Sequence, residues 1–442
     1  MDPLTDFRTA AQSRNFHIST SDKNPQNQGF LSEETYAPVS NRFAPLTLEG
    51  ETNTMYQVKT YNAIAQAGLD QFTDNYQINK TDDADAYLIR SVNLHDQTFP
   101  KSLKVIARAG AGYNNIPLDK ATQNGTAVFN TPGSNANAVK ELIIALLVAS
   151  SRNLFAAANY AAHNSGADIS LRTEKDKTRF KGTELTGRTL AVIGVGHVGS
   201  LVANAASALG MNVIGYDPYL SADAAWHIST RITRARTLGD ALKSADYVTI
   251  HVPKNEETTG LIGSEQMEIM KDGVKLFNYS RGGIVDNAAA IEALDARKIR
   301  TYYTDFGENI LLNREDVVVT PHIGGSTIEA EANGATQGAN TIMTYLETGN
   351  ILNSVNLPNL QVPFNAPYRV TIIHQNIPNM VGQIATALAD AGINIESMSN
   401  AARDGVAYTI IDLDNLKNEE DNKLIQRLSK IDAVYRVRVL KK

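Results

Sequence analysis

The stretch Leu190-Ala191-Val192-Ile193-Gly194-Val195-Gly196-His197-Val198-Gly199 decides the fold of this chain. Its four leading apolar residues predict a buried strand, which runs directly into a G-x-G-x-x-G turn. A helix of small residues is predicted from Ser200 to Leu209, and a second strand follows from Met211 to Tyr216. This order is typical of a nucleotide-binding βαβ unit. In such a unit Gly194 forms the tight turn, Gly196 admits the pyrophosphate, and Gly199 lets helix and strand touch.

The same unit predicts which nucleotide is bound. The phosphates are expected on the free N–H groups at the start of the helix, where His197 and Val198 complete the turn. Asp217 lies about twenty residues past the glycines, where a carboxylate accepts from the ribose hydroxyls and repels a 2′-phosphate. No Arg or Lys directly follows Asp217. We therefore predict NAD rather than NADP.

Composition limits the class of protein. The chain has 442 residues, which suggests about three domains, and a formal net charge of −6, which argues against nucleic-acid and membrane-surface partners. It has no cysteine, so disulfides, thiolate nucleophiles and Cys-based zinc sites are excluded, and no metal is expected. The longest apolar run, Leu142 to Ala149, is too short for a membrane span, and the N-terminus lacks a secretory h-region. These features predict a cytoplasmic protein.

The pattern along the chain predicts three folded domains. Residues 1–54 are polar without a lasting period and are interpreted as a mostly disordered extension. Strand–helix alternation then indicates two α/β domains, and residues 349–367 are interpreted as a linker. The predicted folded domains are 55–153 with 327–348 (a discontinuous, flavodoxin-like substrate domain), 154–326 (a Rossmann-type NAD-binding domain) and 368–442 (a ferredoxin-like α+β domain).

The first α/β domain carries polar loops at the ends of its predicted strands, where open α/β sheets bind ligands. Arg90-Ser91 follows one strand, and a guanidinium matches phosphate geometry. Arg108, Ala109, Gly110 and Asn135 follow other strands and supply donors for a carboxylate. The alternative for Arg90 is a solvated surface arginine.

Three strand ends of the second α/β domain carry the residues suited to chemistry. Arg281, the acids Asp305 and Glu308, and His322 follow consecutive predicted strands, so they are expected side by side at the cofactor's edge. An arginine binds a carboxylate bidentately, and a histidine exchanges the alcohol proton near neutral pH. Taken singly, His322 could be an ordinary loop residue and Arg281 a structural ion-pair partner. Together they favour hydride transfer at a hydroxy acid.

These motifs resemble those of the D-isomer-specific 2-hydroxyacid dehydrogenases. The resemblance rests on the glycine turn, Asp217, His251-Val252-Pro253, the run Asn278 to Gly283 and Pro321-His322, and it covers about residues 56–348. The chain is most similar to members that act on D-3-phosphoglycerate and carry a C-terminal ACT domain.

The resemblance implies a role for each matching residue. Arg281 would bind the substrate carboxylate and carbinol oxygen, His322 would be the acid/base, and Glu308 would be its carboxylate partner. Asp305 would face the nicotinamide amide, and His251 and Pro253 would flank the adenine. The implied cofactor contacts are Gly194, Gly196, His197, Val198, Gly199, Asp217, His251, Val252, Pro253, Ser280, Asp305, His322 and Gly324. The sequence departs from the family pattern at Glu308, which comes early in its loop and is not followed by Pro.

The C-terminal region resembles an ACT domain, in which such His and Asn residues bind an amino acid across a domain dimer. The matching positions are His374, Asn376 and Asn394, although Pro378-Asn379 stands where family members often have Pro-Gly. The resemblance implies an L-serine effector and a homodimer or homotetramer. The alternative is a purely structural dimerisation domain.

The expected activity is NAD-dependent oxidation of D-3-phosphoglycerate to 3-phosphooxypyruvate, the first step of serine biosynthesis, with feedback regulation by serine. One alternative is a D-2-hydroxyacid dehydrogenase or 2-oxoacid reductase acting on an unphosphorylated acid. A rival from another class is a non-catalytic NAD-sensing binding protein.

Overall fold

A computed structural model describes residues 55–416 and 420–442 of the chain. The extension predicted for residues 1–54 lies outside the described residues. The predicted fold class is confirmed, because two parallel α/β sheets are followed by an antiparallel sheet with helices.

The first sheet has five parallel strands in the order β2-β1-β3-β4-β5, which is the flavodoxin-like order. Its apolar strands are almost fully buried, as expected for a parallel sheet covered on both faces. The elements are β1 (Tyr56–Tyr61), α1 (Gln66–Leu69), β2 (Tyr76–Ile78), β3 (Ala86–Ile89), β4 (Val105–Arg108), α2 (Leu118–Gln123) and β5 (Ala127–Phe129).

Helices and one 3-10 turn lead from the first sheet to the second: α3 (Ala136–Ser151), α4 (Leu154–Ala162), α5 (Ile169–Asp176) and the turn Lys177–Phe180. No single helix in the described ranges is long and apolar enough to cross a membrane. The bent pair α3 and α4 passes that test only when joined across a 70° break. More than half of the residues of α3 are buried in the fold.

The second sheet has seven parallel strands in the order β12-β11-β10-β9-β6-β7-β8, the doubly wound arrangement of dinucleotide-binding folds. The order reverses between β6 and β9, and this switch point places the carboxyl end of β6 at a crevice. The elements are β6 (Thr189–Ile193), α6 (His197–Ala208), β7 (Asn212–Tyr216), α7 (Ala222–Ala225), β8 (Thr233–Arg234), α8 (Leu238–Leu242), β9 (Tyr247–Ile250), α9 (Ser264–Ile269), β10 (Val274–Asn278), α10 (Asn287–Asp295), β11 (Ile299–Thr304) and β12 (Val317–Val319).

Helix α11 (Ile328–Thr348) returns from the second sheet to the first. Its residues Ile342, Tyr345 and Leu346 are buried in one core with strands of the first sheet. The segment 349–367 then packs along β5 rather than extending as a free linker. There the Ser354 hydroxyl donates to the Val128 carbonyl (2.9 Å), and Leu357 is fully buried.

The C-terminal sheet has the antiparallel order β14-β15-β13-β16 and a βαββαβ sequence of elements. One face packs on helices α12 and α13, and the other face adds Ile373, Tyr408 and Ile410 to the core of the first sheet. The elements are β13 (Tyr368–Gln375), α12 (Met380–Ala389), β14 (Ile395–Arg403), β15 (Val406–Leu413), α13 (Glu420–Ser429) and β16 (Val434–Lys441).

Candidate active site

The glycine turn has the geometry that a dinucleotide needs. Gly194 adopts φ +86°, and a Cβ there would lie 2.7 Å from the His251 carbonyl oxygen. A Cβ on Gly199 would lie 1.9 Å from the Gly194 carbonyl oxygen, so helix and strand touch as predicted. At Gly196, by contrast, a Cβ would meet no atom within 4 Å, which leaves open space above the start of α6. The turn therefore fits a pyrophosphate.

Residues predicted for the ribose and adenine surround the same turn. The Asp217 carboxylate accepts from the Val195 and Tyr219 amides (both 2.9 Å), which holds it at the end of β7. His251 is half-buried. Desolvation by the surrounding residues lowers the pKa of its ring to about 3. A neutral ring suits contact with an uncharged base. Val252 packs on Gly194, and Pro253 lies in the cleft wall.

A cleft of about 690 Å³ lies between the ends of the two parallel sheets. It gathers most of the predicted substrate and catalytic residues from both sheets. The predicted residues that line it are Arg90, Ser91, Arg108, Ala109, Gly110, Asn135, Pro253, Arg281 and His322.

Three arginines give the cleft a strong positive charge. Arg108 donates from Nε to the Arg90 carbonyl oxygen (2.8 Å), and desolvation, with Arg281 and Arg90 nearby, lowers the pKa of its guanidinium. Lys254 adds a fourth cation to the wall, and Glu331 is the acid among the described lining residues. A site of this charge favours a substrate with two anionic groups.

Arg90 already has a partner. Its Nη2 donates to the Glu331 carboxylate in the first turn of α11 at 2.5 Å, and both side chains remain partly exposed. Sequence reasoning missed Glu331, because an acid in the first turn of a helix is explained by the helix dipole alone. An anionic ligand at Arg90 must compete with this carboxylate.

The loop after β10 is held by its own hydrogen bonds. The Asn278 carboxamide accepts from the amide and hydroxyl of Ser280 and donates to the Arg281 carbonyl (3.0 Å). Arg281 donates from Nη1 to the Ser280 carbonyl (2.7 Å), which leaves other guanidinium N–H groups for the cleft. The loop therefore presents Arg281 in a defined direction.

His322 stands at the cleft with the edge of Phe306 against its ring, at a centroid distance of 4.9 Å and an interplanar angle of 76°. The structure does not bring Glu308 to it. Glu308 is exposed before a 3-10 turn (Asn309–Leu311), and no hydrogen bond joins it to His322 within the described residues. Glu308 directly precedes this turn, in a run of exposed residues from 307 to 310, and it is not among the residues that line the cleft.

The buried carboxyl near His322 is Asp305, which is 4% exposed. Burial raises the pKa of Asp305, and the nearby charges of His322 and Arg281 oppose that rise. Its Oδ2 accepts from the Gly324 amide (3.4 Å), which joins two predicted cofactor residues. Asp305 is thus the acid that the fold places with the histidine.

Two close contacts join the two halves of the cleft. A Cβ on Gly133 would lie 2.8 Å from Cδ2 of His197, and one on Gly325 would lie 2.4 Å from Nδ2 of Asn135. Loops of the first sheet therefore touch both the glycine turn and the His322 loop.

The predicted effector residues lie apart from this cleft. His374 is buried, and its ring nitrogens contact the Thr409 hydroxyl (2.9 Å) and the Gln375 carbonyl (2.8 Å). Desolvation lowers the pKa of the His374 ring. His374 lies in strand β13, whereas Asn376 and Asn394 are exposed on two loops of the C-terminal sheet.

Comparisons with known proteins agree with this geometry. The family model described as D-isomer specific 2-hydroxyacid dehydrogenase, NAD binding domain, matches residues 144–324. The D-3-phosphoglycerate dehydrogenase of Archaeoglobus fulgidus is 42% identical over 269 residues, which are 59% of this chain and 49% of that protein. D-3-phosphoglycerate dehydrogenase 1 of Saccharomyces cerevisiae is 30% identical over 415 residues, which are 87% of this chain and 83% of that protein.

Among solved structures, the NAD+-bound 3-phosphoglycerate dehydrogenase of Entamoeba histolytica aligns with a TM-score of 0.55 and 24% identity. The alignment covers 69% of this chain and 99% of that one, and it supports the fold.

This chain belongs to the D-isomer-specific 2-hydroxyacid dehydrogenase family, and its second sheet is the NAD-binding domain. Within the family, the sequence relatives reported above are D-3-phosphoglycerate dehydrogenases. The chain spans about half the length of the first curated relatives that it matches, with 49% of the Archaeoglobus protein and 52% of the Bacillus subtilis one covered.

Proposed function

We propose that this chain oxidises D-3-phosphoglycerate to 3-phosphooxypyruvate with NAD, as the first step of L-serine biosynthesis. The observation that carries the proposal is the convergence of Arg90, Arg108, Arg281 and His322 on one cleft beside the glycine turn. Two anionic groups on a three-carbon acid match this cluster of cations.

The proposed mechanism assigns one task to each side chain. Arg281 holds the α-carboxylate, and Arg90 with Ser91 holds the phosphate at the opposite wall. His322 takes the proton of the C2 hydroxyl, a contribution typically worth about 10² to 10⁴ in rate. The chemistry that NAD supplies when bound is acceptance of the C2 hydride. Closure of the two halves, which already touch at Gly133 and Gly325, excludes water.

The test is NADH formation from NAD and D-3-phosphoglycerate, with a His322→Gln variant as control. Turnover in the native chain and its loss in a variant that still binds NAD support the proposal. Binding of NAD without turnover in either protein contradicts it and favours a non-catalytic NAD sensor.

A second candidate function is reduction of an unphosphorylated 2-oxoacid. The observation that favours it is the Arg90–Glu331 pair, which occupies the arginine predicted to bind phosphate. A higher kcat/KM for glycerate than for phosphoglycerate would select this alternative.

We further propose that L-serine binds at the C-terminal domain of a homodimer or homotetramer. Support comes from β14, an edge strand with several exposed residues that can pair with a second copy. Support for coupling to the cleft comes from α11. Arg438 donates to the Tyr345 and Leu346 carbonyls at its C-terminal end, and Glu331 contacts Arg90 at its start.

The regulation is tested by turnover and by molar mass in solution, each with and without L-serine. Inhibition that Asn394→Ala abolishes, in a protein that stays oligomeric, supports an effector site. Turnover indifferent to serine reduces the domain to a structural role. Cytoplasmic location remains a prediction from composition.

A further inference from the structure

Three neighbouring strand ends carry buried polar atoms that lack a hydrogen-bond partner of normal geometry in the described part of the chain. They are the Tyr279 hydroxyl, Oδ1 of Asp305 and the Thr320 hydroxyl. Tyr279 is 5% exposed and Asp305 is 4% exposed. Buried polar atoms of this kind are uncommon in folded proteins, and three together indicate a shared purpose.

The sheet register brings the three residues together. Asn278 pairs with Thr304, and Thr304 pairs with Val319, so the next residue on each strand is Tyr279, Asp305 and Thr320. Adjacent strands lie about 4.8 Å apart, and residues at one register position share a face of the sheet. The Tyr279 ring and Asp305 Oδ2 also lie 3.9 and 3.4 Å from the Cβ position of Gly324.

The surroundings determine how this cluster can act. The charged groups that face Asp305 are His322, on the loop after β12, and Arg281, on the loop after β10. Helix α3 contributes the apolar Val139, which lies 3.8 Å from the Cβ position of the neighbouring Gly324. The Tyr279 phenol lies near enough to Asp305 to feel its charge, and the Thr320 hydroxyl lies beside Tyr279 at the same register position of the next strand but one.

We propose that Tyr279 is a positioning residue which, with Thr320, stabilises the ionised carboxylate of Asp305 and so supports the proton transfer at His322. One internal water would satisfy all three atoms. It accepts from the two hydroxyls and donates to Oδ1 of Asp305, within the bonding capacity of each group. The proton removed from the substrate stays on His322, and the ionised Asp305 stabilises the resulting imidazolium.

This assignment explains how the site works without Glu308 near His322. Burial raises the pKa of the Asp305 carboxyl, and in this assignment a hydroxyl donor would oppose that rise together with the charges of His322 and Arg281. Burial raises the pKa of the Tyr279 phenol to about 12 against the opposing effect of the neighbouring Thr320 hydroxyl, so the Tyr279 hydroxyl remains a donor at neutral pH.

The experiment is a titration of the Asp305 carboxyl by ¹³C NMR in the full chain, with the signal assigned by its loss in Asp305→Asn. Tyr279→Phe and Thr320→Val should each move the titration midpoint to higher pH. Tyr303→Phe is the matched control, because Tyr303 is an equally buried tyrosine of the same layer, stacked on Phe277 at 4.7 Å. Its midpoint should stay at the wild-type value.

The second measurement is the rate of turnover, and its expected result rests on the proposed function. Below the midpoint, kcat of Tyr279→Phe should fall about 10- to 100-fold relative to wild type, the scale of one hydrogen bond to a charged group. An unchanged midpoint in Tyr279→Phe, or an equal shift in Tyr303→Phe, would overturn the proposal. A shifted midpoint in a chain without turnover would refute the proposed function and uphold only the stabilisation of the Asp305 carboxylate by Tyr279.

Discussion

At the scale of single residues, the cleft is defined by the balance of its charges. Three guanidinium groups converge there, and Glu331 neutralises part of that charge at Arg90. Because both partners are partly exposed, their ion pair is weak enough for the phosphate of the proposed substrate to displace it. On the proposed function, we therefore expect Glu331 to influence affinity for the phosphate end of the substrate more than the chemical step.

Glu331→Gln should lower KM for D-3-phosphoglycerate about two- to fivefold, since an exposed ion pair is worth about 0.5–1 kcal/mol. We expect kcat to stay within a factor of about two, because Arg281 and His322 are unchanged. Steady-state kinetics with phosphoglycerate and with glycerate would measure the effect. Glu329→Gln, in the same helical turn, is the control and should leave KM at its native value. A KM that falls equally for glycerate would contradict this account.

At the scale of elements, the β6–α6 unit depends on two glycines for different reasons. Gly199 allows close packing, because any Cβ there would collide with the Gly194 carbonyl. Gly196 faces open space, so its importance lies in what binds above the turn. Stability and cofactor binding can therefore be separated within one turn.

Gly196→Ala should retain the native melting temperature within about 2 °C and lose NAD affinity, because its new methyl group occupies ligand space. Gly199→Ala should unfold several degrees lower, because strand and helix must separate. Thermal melts and NAD titration calorimetry would distinguish the two. Equal melting temperatures for both variants would show that the packing argument is wrong.

A buried lysine ties β10 to the end of α3. Lys275 Nζ donates to the Ser150 carbonyl (2.6 Å) and lies 5.2 Å from the centroid of the Tyr247 ring. Desolvation, with Arg300 and Arg188 nearby, lowers the pKa of Lys275 from 10.5 to about 8.

This pKa shift makes stability depend on pH. Between about pH 8 and 10.5 the unfolded chain binds more protons at Lys275 than the folded chain does, so this lysine's contribution to stability rises with pH. Lys275→Met should remove that rise and increase stability at pH 7. Urea unfolding of both proteins across this window tests it, since other titrating groups cancel in the comparison. If the stability of both proteins changed with pH in the same way, the pH dependence could not be assigned to Lys275.

At the scale of the whole molecule, the C-terminal sheet is bound to the first sheet by arginines as well as by a shared core. Arg436 donates to the carbonyls of Leu103, Asn124 and Gly125 at 2.6–2.9 Å. Arg369 forms a buried ion pair with Asp412. Its Nη1 also donates to the Thr348 and Val362 carbonyls. The C-terminal sheet therefore moves with the first sheet and with α11.

Arg436→Met should destabilise the chain by about 2–4 kcal/mol, because three buried carbonyls lose a charged donor. Hydrogen exchange should accelerate around residues 103 and 125, where the sheets meet. The control is Arg427→Met, which breaks an exposed pair with Asp390 and should change stability by less than about 1 kcal/mol. Equal losses of stability in the two variants would mean that Arg436 does not hold the C-terminal sheet to the first sheet.

The sequence by itself determined the fold class and most of the strands, although it did not predict the short strands β2 and β8. Apolar runs, glycine turns and polar strand ends are local signals, and they placed Gly194, Gly196, Arg281 and His322 at the strand ends where the structure has them. The observed helix α6 begins at His197 rather than Ser200, because the free N–H groups of the glycine turn already belong to its first turn.

Tertiary structure alone decided which side chains meet. The separation of Glu308 from His322 depends on the path of a short loop, and the contact of Glu331 with Arg90 joins residues 241 positions apart. The cluster of Tyr279, Asp305 and Thr320 depends on strand register, and the docking of Arg436 depends on how two sheets pack. Such contacts arise from the packing of distant segments, which periodicity and spacing along the chain do not encode.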